Sequence, residues 1–413
     1  MSLEGGILYQ IPQLQSNPMS SNTTTTSMNH PTSANHMSPM DEMRPSLQDP
    51  VVITTGTPLT RRVGEQGPLR LLCVDGGGIR GLSSLVMLKE FLSQVKNHED
   101  FIWDGKGEIL PCEYFDMICG TSTGGLIAIM LGKLRMTVNE AIRAYIDLSK
   151  SVFSEKKWIW KEGRYSAQNL KNAILHIIEQ ATRIPDGEKR NAEELMMRGD
   201  NPDPNACKVF VCAANTVDAT ASVHFRTYTV GKHEREDVTI WEAARATTAA
   251  PYFFKPLIIQ NKGGRMEGGT YIDAGITNNN PIRRLISEAR LVWPGRSIGH
   301  ILSLGTGQKE AIHLPRAGMI PKLQLFKVLH LLQRIATDCE RVHQEVYGEF
   351  AAGTYFRFNV DRGLEGVGLD EWNSIETISF RTLAYMQRGE IDTMLQQAVT
   401  SFLAYPFSHL PGN

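Results

Sequence analysis

The first 66 residues differ from the rest of the chain in their pattern of hydrophobic and polar positions. Residues 1–66 are rich in serine, threonine, asparagine, proline and methionine. A segment of this kind cannot bury enough apolar surface to offset the entropy that the chain loses on folding. We therefore expect a disordered tail over 1–66, with ordered structure beginning close to Leu69.

Two apolar segments are each followed by glycines and then by a helical pattern. The first is Leu69–Val74, which favours a strand and leads through Asp75–Gly81 into a helix. The apolar face of that helix consists of Leu82, Leu85, Leu88, Leu92 and Val95. In the second, Tyr114–Ile118 has the composition of a buried strand and Leu126–Leu131 can continue as a helix. Strand, tight turn and helix in this order are typical of α/β proteins.

The remainder of the chain continues the same alternation. Further strands are predicted at Val209–Ala213, Val223–Val230 and Thr270–Asp273, and helices at Lys322–Tyr347 and Leu383–Phe402. We predict a three-layer α/β/α sandwich around a mainly parallel sheet. Its main domain spans 67–310, and a helical extension at 311–413 packs on that domain.

Composition and charge narrow the possible functions. The chain is 41% hydrophobic and 21% charged, as expected for a globular protein with a sizeable core. Its formal net charge of −1 gives no reason to expect nucleic acid as a partner. The six cysteines show no Cys-x-x-Cys or Cys/His spacing, which favours buried reduced thiols and predicts no metal site. We expect no cofactor.

The sequence shows no targeting or membrane-spanning pattern. It lacks a basic segment followed by an apolar core and a small-residue cleavage site, and it has no apolar run of about 18 residues. We therefore expect a cytoplasmic protein, with peripheral contact at membranes or lipid droplets.

The pattern Gly-x-Ser-x-Gly, from Gly120 through Ser122 to Gly124, predicts a nucleophile elbow. In an elbow, the serine lies on a strained turn between strand and helix, with its hydroxyl exposed. Glycines on both sides allow the tight turn, because a Cβ there would crowd it. The alternative is an ordinary strand-to-helix turn in which the serine caps the helix.

A second glycine pattern, Gly76-x-Gly78-x-x-Gly81, has two possible interpretations. It fits the dinucleotide fingerprint, but that motif requires an acidic residue about 20 residues further on, at the end of a second strand. The polar segment Asn97–Asp100 occupies that region instead. In a hydrolase, the N–H groups of Gly77 and Gly78 would stabilise the oxyanion formed when Ser122 attacks an ester.

Together, these motifs resemble the patatin-like phospholipase family. Further similarity lies in Arg164–Ala167, Trp241–Pro251, Tyr271–Gly275 with Asn279–Pro281, and Ser303–Gly307. The resemblance implies a lipid acyl hydrolase with a Ser–Asp dyad and no calcium requirement. Ser122 would be its nucleophile and Asp273 its base. Gly76, Gly77 and Gly78 with Arg80 would form the oxyanion region.

The segment that carries Asp273 departs from the family pattern in one position. The family usually has Asp-Gly-Gly or Asp-Gly-Ala, whereas this chain has Asp273, Ala274 and Gly275. One additional methyl group is expected to leave the carboxylate in place. Asp273 would end a short strand, where catalytic side chains of open sheets gather. The alternative is an ordinary turn in which the aspartate bonds to its own backbone.

A Ser–His–Asp triad is the alternative mechanism, and it requires a histidine after Asp273. The histidines in that part of the chain are His300, His313, His330, His343 and His409, and none has a recognisable triad context.

Trp158 and Trp160 lie among lysines, a composition favoured at the boundary between water and lipid but also found at the edge of a core.

The sequence therefore predicts a lipid acyl hydrolase of the phospholipase A or lysophospholipase type, acting on phospholipids or other acyl-ester lipids in lipid degradation or remodelling. Two other classes of function remain open. One is an inactive lipid-binding or scaffold protein that retains the fold, and the other is a nucleotide-binding module built on Gly76–Gly81.

Overall fold

The computed structural model describes residues 67–101, 107–154, 164–181, 191–198, 206–218, 222–230, 238–260, 268–308 and 339–405. The predicted tail at 1–66 lies outside these residues, as do Trp158 and Trp160. The disorder of the tail and the lipid contact of the tryptophans therefore remain predictions. Within the described ranges, no helix is both long and apolar enough to cross a bilayer.

Eight strands of the described residues form one mixed sheet. They are β1 (Leu69–Val74), β2 (Met117–Thr121), β3 (Lys208–Asn215), β4 (Ser222–Arg226), β5 (Leu257–Ile259), β6 (Gly269–Asp273), β7 (Ile298–Leu304) and β8 (Tyr355–Phe358). The order is β5-β6-β3-β2-β1-β7-β8, and β4 pairs with β3. The strands from β3 through β2, β1 and β7 to β8 are parallel, whereas β4, β5 and β6 form antiparallel pairs. The carboxyl ends of the parallel strands therefore meet at one edge of the sheet.

Helices cover both faces of the sheet. They are α1 (Gly81–Asn97), α2 (Pro111–Tyr114), α3 (Thr123–Ala128), α4 (Val138–Phe153), α5 (Ala167–Gln180), α6 (Ile240–Thr247), α7 (Ile282–Val292), α8 (Cys339–Tyr347), α9 (Ile375–Met386) and α10 (Gly389–Leu403). Short 3-10 turns lie at Gly78–Arg80, Ala274–Ile276 and Trp372–Ser374.

Alternating side chains of β1 divide the core between the two faces. Leu72 and Val74 belong to the larger core, together with α1, α3 to α6, α9 and α10. Leu71 and Cys73 belong to the smaller core, together with α7 and Val346 of α8. A central strand that is buried on both faces is the expected consequence of covering a parallel sheet with helices. This arrangement confirms the predicted three-layer α/β/α sandwich.

Two predicted helices differ from the observed ones. The single helix expected at Leu383–Phe402 is two helices, α9 and α10, because Arg388 between them is extended, with ψ of 136°. Its guanidinium binds both carboxylate oxygens of Asp361, at 2.9 and 3.0 Å. The helix expected at Leu126–Leu131 is α3 followed by a π turn at Ile129–Lys133. Of the helix predicted at Lys322–Tyr347, the described part is α8.

A buried ion cluster joins α7 to the edge strand β4. The carboxylate of Glu288 is 3% exposed and accepts hydrogen bonds from Arg226 at 2.6 and 2.8 Å, from Tyr228 at 2.8 Å and from His224 at 3.0 Å. Burial alone would raise the pKa of Glu288, but the bonds from Arg226 and His224 outweigh it and hold the pKa well below its ordinary value. This cluster holds α7 against β4 and the residues that follow it.

We expect Glu288→Gln to lower the free energy of unfolding by about 3–5 kcal/mol, because it leaves buried cations without their counter-charge. Urea denaturation measures this. The exposed control Glu345→Gln, from a pair with Arg283, is expected to cost less than about 1 kcal/mol. Since the folded pKa of Glu288 is lowered, its contribution in the wild type is present above the ordinary pKa of 4.5 and is lost as the pH falls. Equal effects of the two variants at pH 7 would contradict this account.

Candidate active site

Ser122 lies in a strained turn between β2 and α3, as the elbow pattern predicts. Its φ of 56° and ψ of −129° place a residue with a Cβ in the left-handed half of backbone space, and its side chain makes no helix-cap hydrogen bond. The glycines make the turn possible: a Cβ on Gly120 would lie 2.1 Å from the Gly124 carbonyl oxygen, and one on Gly124 would lie 2.4 Å from the backbone of β1. The geometry is that of an elbow and excludes the N-cap alternative.

The backbone of the elbow is held by α6. The Ser122 N–H donates to the Thr247 hydroxyl at 3.0 Å, and that hydroxyl donates to the Cys212 carbonyl of β3 at 2.6 Å. Thr247 is completely buried, so this bond is shielded from water. Sequence reasoning did not identify Thr247, although it lies within the motif Trp241–Pro251.

The register of β3 explains why Asp273 lies beside the elbow. At Cys212, β3 pairs with Thr121 of β2 and with β4; at Ala213, it pairs with Asp273 of β6 and again with β4. Because β4 occupies one edge of β3 at both residues, β2 and β6 must share the other edge. Asp273 therefore ends β6 one position beyond the end of β2, where Ser122 follows Thr121.

The Asp273 carboxyl is buried, with 3% of the residue exposed. Burial raises its pKa to about 7, and two hydrogen-bonding groups counteract part of that rise: the Ser122 hydroxyl and the Gly275 N–H. The Gly275 N–H donates to Asp273 Oδ1 at 2.7 Å. This is the local turn bond that the sequence offered as the alternative role of Asp273. The Asp273 carboxyl group therefore accepts the turn hydrogen bond and also contacts the Ser122 hydroxyl.

Ala274, the departure from the family pattern, points away from this contact. Its side chain is completely buried in the smaller core, beside residues of α7. The N–H that binds the Asp273 carboxylate belongs to Gly275. The methyl group therefore packs in the core, and its effect on the carboxylate stays a prediction.

The glycine loop lies directly against the elbow, since a Cβ on Gly76 would be 3.0 Å from the Ser122 Cβ. The Gly76 carbonyl accepts from the Asn279 side chain at 3.1 Å and from the Thr306 hydroxyl at 2.9 Å. In a trans peptide the following N–H points in the opposite direction. The Gly77 N–H is thus oriented towards α3, where it lies 3.3 Å from the Thr123 hydroxyl.

The predicted oxyanion donors differ in their availability. The Gly76 N–H already donates to the Asn279 carbonyl at 3.0 Å. Gly77 has only its long contact with Thr123, and the Gly78 N–H has no hydrogen-bond partner among the described residues. Gly78 has a φ of +56°, and its carbonyl accepts from the Tyr145 hydroxyl. Gly77 and Gly78, rather than Gly76, are therefore the available donors.

Arg80 and Gly81, the last two positions of the glycine loop that the sequence singled out, have packing roles. Arg80 is 4% exposed, and its backbone N–H donates to the Gly77 carbonyl at 3.2 Å, which closes the 3-10 turn. Gly81 begins α1 against Tyr145, whose hydroxyl would lie 2.4 Å from a Cβ at that position. A larger residue at position 81 would displace the tyrosine that fixes Gly78.

An apolar cavity begins at Ser122 and Gly78 and extends between α3, α4 and α5. Its apolar walls include Leu126, Leu148, Phe153, Leu170, Phe253 and Phe254. Leu369, which follows β8 in the chain, also lines it. An apolar lining beside a polar group is typical of sites that bind small ligands.

Neither described candidate histidine contacts the Ser122–Asp273 pair. His300 is completely buried in β7 between aromatic rings, and burial lowers its pKa to about 3, so it is a neutral core residue. His343 lies on α8 and bonds to the Tyr355 hydroxyl at 3.0 Å. His313, His330 and His409 lie outside the described residues.

The nucleotide alternative finds no support in the described residues. The Ile79 N–H, which a pyrophosphate at the start of α1 would use, donates to the Leu369 carbonyl at 2.9 Å. A Cβ on Gly78 would lie 2.2 Å from that same carbonyl oxygen, so the space is filled by protein. No group of three or more metal-ligating side chains is present in the described part of the chain.

Comparison with known proteins identifies the family of the chain. The sequence profile of the family described as patatin-like phospholipase matches residues 72–286, just over half of the chain. Calcium-independent phospholipase A2-gamma of Homo sapiens is 28% identical over 339 residues, which cover 78% of this chain and 38% of that protein. Phospholipase A I of Arabidopsis thaliana is 27% identical over 366 residues, covering 75% and 26%. Patatin-like protein 2 of the same plant is 26% identical over 264 residues, covering 58% and 60%.

We expect Asp273→Asn to stabilise the protein at pH 8. The folded pKa of about 7 lies above the ordinary value of 3.8, so ionisation of the buried carboxyl destabilises the fold increasingly as the pH rises between these values. Removing the charge should raise the free energy of unfolding at pH 8 by on the order of 2–4 kcal/mol, and the gain should disappear towards pH 4. Urea denaturation at several pH values measures it, with the exposed Asp100→Asn as control. Destabilisation at pH 8 would show that hydrogen bonds compensate the buried carboxylate more fully than a pKa of about 7 implies.

Proposed function

The chain belongs to the patatin-like phospholipase family, and we propose that it is a lipid acyl hydrolase in which Ser122 and Asp273 act as a catalytic dyad. One observation carries the proposal: a strained serine lies within hydrogen-bonding reach of a buried carboxyl group whose pKa is about 7. A general base is most effective when its pKa is close to the working pH. The relatives named as phospholipases support an ester of a lipid as the substrate class.

In the first half of the reaction, the Ser122 hydroxyl attacks the ester carbonyl carbon and transfers its proton to the Asp273 carboxylate. The carbonyl oxygen becomes an oxyanion, which the N–H groups of Gly77 and Gly78 stabilise. The tetrahedral intermediate then breaks the bond to the leaving alcohol, and Asp273 returns the proton to the alcohol oxygen. The acyl group remains on Ser122.

In the second half, water attacks the acyl-enzyme and transfers a proton to Asp273. The same two N–H groups stabilise the second oxyanion. When the bond to Ser122 breaks, the proton passes from Asp273 to the serine oxygen and a fatty acid is released. In this scheme, groups of the chain perform every proton transfer, and we propose that catalysis is calcium-independent.

The cavity indicates which part of the substrate the protein holds. Its walls are apolar, as the contact surface of an acyl chain would be, and the chain's carbonyl end would lie between Ser122 and Gly78. Burial of each methylene group in such a cavity contributes roughly 0.8 kcal/mol. We therefore propose that recognition depends mainly on the acyl chain, in phospholipids or in other acyl-ester lipids. We also propose that the protein contacts membranes or lipid droplets peripherally.

We expect Ser122→Ala to abolish hydrolysis of a short-chain 4-nitrophenyl ester and labelling by a fluorophosphonate, since the nucleophile is lost. The variant should remain folded by circular dichroism, because the change removes one hydroxyl group, opens no large cavity and adds no backbone strain beyond that of the wild type. Turnover that survives in Ser122→Ala would refute the nucleophile. A folded wild-type protein that neither hydrolyses esters nor reacts with the probe would favour an inactive lipid-binding protein.

The identity of the base can be tested by pH dependence and substitution. Since Asp273 acts as a carboxylate, kcat/KM should rise with pH and level off above about 7. Asp273→Asn should reduce turnover about as severely as Ser122→Ala, and the double variant should be scarcely worse. By contrast, His→Gln at each of positions 300, 313, 330, 343 and 409 should retain most turnover. A folded histidine variant as inactive as Ser122→Ala would replace the dyad with a triad.

A further inference from the structure

The last strand of the sheet lies outside the residues that match the family profile, yet it reaches the glycine loop. The match ends at residue 286, whereas β8 spans Tyr355–Phe358 and pairs in parallel with β7. Since β7 lies beside β1, the carboxyl end of β8 lies two strands from the strand that leads into the loop. A long side chain of β8 can therefore reach the start of the loop.

Arg357 makes that connection. Its side chain is 2% exposed, and its guanidinium donates to Asp75 Oδ2 at 2.8 Å and to the Ser303 hydroxyl of β7 at 3.0 Å. It also donates through Nε and Nη2 to Glu340 Oε1, at 3.0 Å each. Asn359 donates to the same Glu340 oxygen at 2.7 Å. The guanidinium is thus fixed from several sides, as a side chain that orients another group must be.

Asp75 immediately precedes the glycine loop. It is 1% exposed, and its backbone N–H donates to the Leu304 carbonyl of β7 at 3.0 Å. Burial raises the pKa of its carboxyl, and the charge and hydrogen bond of Arg357 act in the opposite direction. A carboxylate this deeply buried requires a partner, and Arg357 is the cation that supplies it. The position of Asp75 therefore depends on the guanidinium.

The other end of the loop is also fixed by the chain that follows β8. The Ile79 N–H donates to the Leu369 carbonyl at 2.9 Å. A Cβ on Gly78 would lie 2.2 Å from that carbonyl oxygen and 2.8 Å from the Leu369 Cβ. Gly77 and Gly78 are thus enclosed between two residues, Asp75 and Ile79, that the C-terminal part of the chain holds in place.

We propose that Arg357 is a positioning residue of the oxyanion hole: through Asp75, it sets where the N–H groups of Gly77 and Gly78 point. The inference rests on the proposed hydrolase function. The physical reason is that oxyanion donors act only within hydrogen-bonding distance of the developing charge. A displacement of about 1 Å can reduce a catalytic rate by about 100-fold without any loss of substrate binding.

The test uses Arg357→Met in the full chain and two kinds of ligand. A trifluoromethyl ketone with an alkyl chain adds to Ser122 and forms an oxyanion, whereas the matching alkane lacks the carbonyl group and reports on the cavity alone. We expect kcat for a short-chain ester to fall about 100-fold with KM nearly unchanged. Affinity for the trifluoromethyl ketone should fall in parallel, and affinity for the alkane should not change.

Three further variants separate positioning from stability. Arg226→Met removes a cation from the buried Glu288 cluster, so it should lower stability but leave kcat and ketone affinity within about threefold of wild type. Arg357→Lys keeps the charge but not the forked geometry and should recover part of kcat. Arg357→Met combined with Asp75→Asn removes both buried charges, so it should fold even if the single variant does not, and it should retain the kcat defect.

The outcomes are distinct. Wild-type kcat in folded Arg357→Met, or in the double variant, would overturn the proposal while leaving the hydrolase function intact. Equal losses of ketone and alkane affinity would show a general loss of structure and would overturn it as well. A folded wild-type protein that does not hydrolyse esters would overturn both the function and this inference. A selective loss of kcat and ketone affinity supports the proposal.

Discussion

The proposed active site depends on a carboxylate that is buried without a cation. Three carboxylates of the described residues are at most 3% exposed, and their partners differ: Glu288 is bound by Arg226, Asp75 is bound by Arg357, and Asp273 receives hydrogen bonds from neutral groups. A cation beside a carboxylate lowers its pKa, whereas burial without one raises it. The pKa of Glu288 is held well below its ordinary value, whereas burial raises the pKa of Asp75 despite Arg357 and raises that of Asp273 to about 7. A pKa of about 7 suits proton transfer near neutral pH. The same lack of a cation makes Asp273 costly to stability, as is common for functional groups.

Ser122 imposes a second cost, which the surrounding structure offsets. A backbone with positive φ at a residue other than glycine persists only where neighbouring contacts determine it. Here, Thr247 binds the Ser122 N–H, while Gly120 and Gly124 allow β2 and α3 to approach closely. The serine is thus held in one orientation, so the proposed reaction would require little reorganisation of the protein.

The sequence predicted features that depend on local residue order. The elbow at Ser122, the glycine turn before α1 and the alternation of strands and helices follow from short patterns, since nearby residues determine them. The pairing of Ser122 with Asp273 was implied by the family resemblance and could not be derived from local patterns, because the contact depends on β2 and β6 sharing an edge of β3, which is a property of sheet register. For the same reason, the contributions of Thr247 and Asn279 could not be seen. Each lies in a motif that was recognised, but its partner is distant in the chain.

The role of Arg357 could not be predicted from the sequence either, because Arg357 and its partner Asp75 are 282 residues apart in the chain. Nothing in the sequence around Arg357 indicates chemistry, because its side chain touches neither the nucleophile nor the base. The family profile ends at residue 286, before β8 begins. Since the contacts at both ends of the glycine loop come from beyond that point, the structural unit that forms the site is longer than the segment by which the family is recognised. A chain that ends with the profile would keep the elbow and Asp273 but would lose Arg357 and Leu369, and with them the groups that fix Asp75 and Ile79.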